Sequence, residues 1–180
     1  MNGKSVLIVA AMVLVLAVVR SVAISAQDKY TLKLPGGVPF SDWKGYEDWR
    51  LISTSKTDDR LKVILGNPTI IAAFKSGIPG NGKPFPEGSK IAKVQWKPKK
   101  STEAPFVVDV PDTLADLFFM EKDSKRFPET GGWGYAQFDY DPASATYTPD
   151  KAGTPTCGQV CHVKVRQRTT SSTPTRRGET

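Results

Sequence analysis

Histidine is nearly absent from this chain, and sulfur is scarce. Its 180 residues include one histidine, two cysteines and three methionines. A single histidine excludes any centre that needs two imidazoles. Two cysteines exclude a four-thiolate zinc site and a dense disulfide framework. Long apolar runs are also missing after the first two dozen residues, where nothing approaches the roughly 20 residues a membrane-spanning helix needs. There is no internal repeat and no sustained helical period, which argues against repeat arrays and helical bundles.

What is present begins with an address. Lys4 gives a short basic start, Val6–Val19 are apolar, and the small residues Ser21, Ala23, Ser25 and Ala26 follow. That order is the secretory signal pattern, so residues 1–26 are expected to be removed after Ala26, or alternatively after Ala23. Arg20 at the end of the apolar run leaves an uncleaved membrane anchor as the other outcome. A periplasmic or secreted location follows. The remainder suits one domain, 27–165, and a basic tail, 166–180. Lysine and arginine outnumber aspartate and glutamate by 25 to 18, a net charge of +7. Part of that excess sits in Lys164, Arg166, Arg168, Arg176 and Arg177, among threonine, serine and proline. Export argues against a nucleic-acid partner, so this end reads as a solvated, disordered tail.

Local patterns point to a mainly β (α+β) fold, an antiparallel sheet with a few short helices. Residues 27–45, rich in glycine, proline and lysine, read as a lead-in arm. Trp49–Ser55 mixes aromatic, β-branched and polar residues and reads as a strand. Asn67-Pro68 opens a helix with an N-cap and an N1 proline, and Gly77 closes it; Ile70, Ile71 and Phe74 would be its buried stripe. Turns are expected over Ile78–Gly88. A strand over Lys90–Lys97 would put Ala92, Val94 and Trp96 on one face and Ile91, Lys93 and Gln95 on the other. Further strands are expected at Phe106–Val110, Leu117–Glu121 and Trp133–Tyr140, with Gly131-Gly132 making the turn into the last. From Asp141 the chain reads as irregular.

The scarce residues fall together, as Cys157-Gly-Gln-Val-Cys161-His162. Two thiols can add to the two vinyl groups of one porphyrin, and an imidazole beside the second thiol can hold the iron, so the hexapeptide predicts one covalently attached haem c per chain. The usual signature has two residues between the cysteines, whereas Gly158, Gln159 and Val160 make three here. Gly158 gives the backbone freedom to absorb the extra residue. A small disulfide loop is the competing reading, and zinc has too few ligands. With His162 taken, bis-histidine ligation is impossible. Met120, the one methionine outside residues 1–26, sits in a strand and reads as core. The expected centre is five-coordinate with an open distal site.

At these residues the sequence resembles the cytochrome P-460 family, including its cytochrome c-prime-beta members. The resemblance runs through Tyr46-Glu-Asp-Trp49, Gly66-Asn67-Pro68, Lys83-Pro-Phe-Pro-Glu-Gly88, Lys90–Lys93, Lys122-Asp-Ser-Lys-Arg-Phe127 and Gly131–Gly134. It implies a mainly β fold, often dimeric. In catalytic members a lysine is bonded to the porphyrin edge and the haem oxidises hydroxylamine; by its place after the Pro-Glu-Gly turn, Lys93 resembles that lysine. In c-prime-beta members the bond is absent and the haem binds nitric oxide. The residues alone also allow Lys93 to be an ordinary strand lysine, like Lys90, Lys97, Lys99 and Lys100. The expected function is therefore oxidation of hydroxylamine or a similar small nitrogen compound, with an electron-transfer protein as partner. The alternatives are nitric-oxide binding or electron transfer without turnover, and a haem-free, disulfide-closed β binding domain. An oxidase would need a distal acid; Glu121 and Glu129 are at hand but read as surface carboxylates. After Val165 the chain departs from the family's aromatic, β-branched closing strand.

Overall fold

A computed structural model describes residues 27–150, 158–160 and 162. Residues 1–26, where a signal segment is expected, Cys157, Cys161 and residues 163–180 lie outside the described residues. The architecture is one six-stranded antiparallel sheet in the order β1-β2-β3-β4-β5-β6, each strand paired to its sequence neighbour. The strands are β1 (Arg50–Thr57), β2 (Arg60–Gly66), β3 (Lys90–Lys100), β4 (Asp109–Lys122), β5 (Trp133–Asp141) and β6 (Thr146–Pro149). A helix, α1 (Pro68–Lys75), and the turns after it connect β2 to β3. The mainly β expectation holds.

Several elements form as their residues dictate. Asn67 caps α1, its Oδ1 accepting from the Ile70 amide at 3.1 Å, and Pro68 occupies the first turn. The same oxygen accepts from the Lys90 amide, so one side chain fixes both the start of α1 and the start of β3. Along β3, Ala92 and Val94 are buried on one face as alternation requires.

Four expectations need correction. Residues 27–45 are no loose arm: Leu34, Val38, Phe40 and Trp43 are among the most buried side chains. Their apolar bulk lacks any period because a 3-10 turn delivers Phe40 and Trp43 while Leu34 and Val38 lie in irregular chain. The helix buries Ile70 and Ala73, while Phe74 is exposed and packs edge-on against Phe85. The strand expected at Phe106–Val110 starts only at Asp109, and Phe106 and Val107 stand exposed in the loop before it. That strand and the one expected at Leu117–Glu121 are a single element, bulged opposite Gln95/Trp96 and Lys97/Pro98. Finally, β2 and β6 were not anticipated; β6 lies in the stretch read as irregular.

The main core lies on the sheet face formed by Ala92, Val94, Leu117, Phe119, Ala136 and Phe138, covered by the 27–45 segment. Phe119 is its centre, stacked on Trp43 with centroids 4.6 Å apart and edge-on to Phe40 at 5.2 Å. Phe119→Ala should therefore cost about 3–5 kcal/mol, read as a lower denaturation midpoint with unchanged slope.

The Lys122–Gly134 stretch is the joint between β4 and β5. Lys122 Nζ donates to Ser124 Oγ at 2.7 Å and to the Gly131 carbonyl at 3.2 Å. Asp123 Oδ1 accepts from the amides of Lys125 and Arg126, and Arg126 bridges Asp42 and Glu121. A side chain at position 134 would run into the Phe127 ring, so glycine is required there. The residue types in this stretch are thus explained by turn architecture.

Candidate functional site

The opposite sheet face carries the site. Register places Ile64, Lys93, Phe118 and Gln137 in one row across β2 to β5. The next row holds Ile91, Met120 and Tyr135. Because side chains alternate along a strand, all seven project to the side away from the main core. A cavity of about 380 Å³ lies over them. At one end it meets a second apolar cluster of Ile70, Trp133 and Tyr135, against which Met120 packs. Met120 is thus a cavity-wall residue of that smaller cluster, not part of the main core.

The described residues 158–160 and 162 are helical and lie across β5. Gly158 permits this: an added Cβ would collide with the Tyr135 ring. The glycine singled out for loop flexibility therefore serves close approach. Gln159 Nε2 donates to the Glu129 carbonyl at 3.3 Å, tying this turn to the β4–β5 joint. The His162 ring stacks on Tyr135, with centroids 5.6 Å apart and planes 29° from parallel, and faces the cavity. Burial against the sheet lowers its pKa from the ordinary histidine value, and the charge of Lys93 adds to the lowering. The residue as a whole remains exposed, so only the packed side of the ring is desolvated. Both influences favour the neutral imidazole, the form that ligates a metal.

Lys93 reaches the same cavity, with Nζ 3.8 Å from the centroid of the Phe118 ring. Lys90, three residues earlier, is on the other face, where it pairs with Glu121 at 3.2 Å, donates to the Asp42 carbonyl and lies over Trp43. Of the candidate residues, the structure brings Lys93 and His162 together. Cys157 and Cys161 lie outside the described residues.

Of the two carboxylates expected at the surface, Glu121 is not there and Glu129 is. Glu121 is buried on the core face, held by Lys90 and Arg126, and cannot serve the cavity. Glu129 is exposed in a 3-10 turn. The acid nearest the site in register is Asp116, which was not singled out because nothing in Leu-Ala-Asp-Leu marks it as buried.

The site fits a haem by the chemistry of its walls. An apolar floor of Ile64, Ile91, Phe118 and Met120 suits the face of a flat macrocycle, and an imidazole stands at one side; in sequence the two cysteines immediately precede Gly158 and His162. A slightly larger cleft, about 410 Å³, lies between β1 and α1. It is lined by Asp48, Arg50 and Lys75 but by no histidine or cysteine, so it offers a haem iron neither imidazole nor thiolate.

A family model described as Cytochrome P460 matches residues 43–170, more than half of the chain. No curated protein matches the chain.

Proposed function

The chain belongs to the cytochrome P460 family and is a haem cytochrome, and on that premise we propose an exported, mono-haem c-type protein that oxidises hydroxylamine or a similar small nitrogen compound. Cys157 and Cys161 tether the haem and His162 holds its iron. The distal site is open in this reading: the chain has no second histidine, and Met120 packs into the Ile70, Trp133 and Tyr135 cluster, on whose Tyr135 ring His162 itself stacks. Bound there, haem supplies a redox-active iron able to draw electrons from a small ligand and release them to a partner protein.

The single observation that carries this reading is the convergence of Lys93 and His162 on one cavity. They are far apart in sequence and on different elements, yet a lysine able to reach a porphyrin edge and an imidazole able to hold its iron share one apolar floor. Lys93 is the candidate catalytic residue, as the side chain bonded to the porphyrin. The apolar residues around it exclude water, and Tyr135 fixes the plane of the imidazole.

One observation favours a second reading, a nitric-oxide binder or electron carrier without turnover. Lys93 already has a partner on the sheet, the Phe118 ring, and needs no porphyrin bond to be held.

Haem attachment is tested by producing the protein in a host that matures c-type cytochromes, then haem-staining a denaturing gel. Colour should persist through denaturation and vanish in the Cys157→Ala/Cys161→Ala variant, because thioether bonds survive unfolding while coordination does not. A colourless mature protein with a Cys157–Cys161 disulfide would overturn the cytochrome reading.

A further inference from the structure

On the cavity face, the row next to Lys93 and Phe118 consists of Lys62, Gln95, Asp116 and Asp139. Asp116 is only 8% exposed, and Gln95, at 6%, donates to its Oδ1 at 2.6 Å. Its other oxygen has weaker company: Arg60 Nε is 3.9 Å away, while Arg60 Nη1 is occupied by Asp59. Directly opposite on β5 stands Asp139, exposed to solvent. Gln137, a wall residue of the cavity, donates to Asp139 Oδ1 at 2.9 Å. Side chains thus run from a buried carboxylate, past the exposed one opposite it, to an amide in the neighbouring row; of the three, Gln137 alone lines the cavity.

Two carboxylates directly opposite on antiparallel strands repel when both are ionised. Burial adds a penalty for charge on Asp116. One proton held by the pair relieves both costs. We propose that Asp116 and Asp139 share one proton and form the proton acceptor for chemistry in the cavity. The pair passes its proton to water through exposed Asp139, and the vacated carboxylate takes one released on the cavity side; charge and atoms balance, and no electron moves in this step. The acceptor role rests on the enzyme reading above.

The charged groups facing Asp116 are Arg60 and Lys62 from β2, Lys93 from β3 and Asp139 from β5. Burial raises its pKa most; the Gln95 hydrogen bond and Arg60 oppose this, Asp139 raises it further and Lys93 lowers it, with a net rise above the usual aspartate value.

The test is infrared titration of the matured full chain carrying carboxyl-labelled aspartate, alongside steady-state hydroxylamine oxidation. A protonated-carboxyl band is expected at pH values where ordinary aspartates are ionised. Asp116→Asn should abolish it, and Asp116→Glu should restore a band. Asp139→Asn removes the repelling charge, so the Asp116 titration should move to lower pH; as a surface change it leaves the fold in place. Asp116→Asn should also lower kcat about a hundredfold with KM little changed, a typical general-base loss. No such band, or an unmoved titration in Asp139→Asn, overturns the shared proton. An unchanged kcat in Asp116→Asn overturns the acceptor role. A protein that holds haem but never turns over hydroxylamine sinks the enzyme reading and the acceptor role with it, while the infrared titration still decides the shared proton separately.

Discussion

Replacing His162 with alanine should either change the iron spectrum of the mature protein outright or stop the protein maturing at all. The reason is arithmetic as well as geometric. The chain contains no other histidine, so no imidazole can take over. The side chains around the cavity are apolar except for Lys93, Gln137 and the Tyr135 hydroxyl. The thioethers would still be chemically possible, so colour on a denaturing gel can survive while the spectrum of the folded protein does not. Optical spectroscopy of the reduced and oxidised protein checks this. An unchanged spectrum in His162→Ala would place the iron ligand elsewhere and refute the proposed ligand set.

The second large effect concerns Lys93 and separates enzyme from ligand binder. A lysine bonded to the porphyrin breaks the ring's symmetry and moves its spectrum strongly to the red of an ordinary haem c. Lys93→Ala should then restore an ordinary spectrum and abolish hydroxylamine oxidation, while nitric oxide still reaches the open iron. Lys90→Ala is the contrasting variant, because Lys90 serves the core face through Glu121, Asp42 and Trp43. It should lower stability and leave the spectrum alone. Intact-mass measurement gives an independent check, since a Lys93 bond outlasts cleavage of the thioethers. If the wild-type protein already shows an ordinary haem c spectrum, Lys93 is a cavity lysine held by Phe118, and the reading without turnover replaces the enzyme.

Much of this site was legible because strand alternation is local. Ala92 and Val94 declare one face of β3, and that alone puts Lys93 on the other. The Cys157–His162 hexapeptide stands out because the chemistry expected of it depends on residue type and short spacing; of it the structure describes residues 158–160 and 162. The helix at Asn67-Pro68 was legible because its cap is written in two adjacent residues. Other features had no local signature. Phe40 and Trp43 lie in a glycine- and proline-rich stretch whose burial follows only from the sheet beneath it. The strand β2, Arg-Leu-Lys-Val-Ile-Leu-Gly, has little alternation to mark it, since six of its seven residues are half-buried. The strand β6 is four residues long and exists by pairing with β5.

The sequence by itself determined the class of protein, a haem cytochrome, and the side of β3 on which Lys93 lies, since each depends on residues close together or alternating in the chain. Only the tertiary structure decided that Lys93 and His162 meet. That meeting depends on the registers of four strands and on a glycine, Gly158, that lets a helical turn lie flat on Tyr135. It also decided which carboxylate lies on the cavity side of the sheet. Glu121 and Asp116 are both acids on β4, but they are five positions apart, an odd offset. The pleat therefore turns Glu121 toward Lys90 and Arg126 on the core side and Asp116 toward the cavity side, where Gln95 and Asp139 meet it.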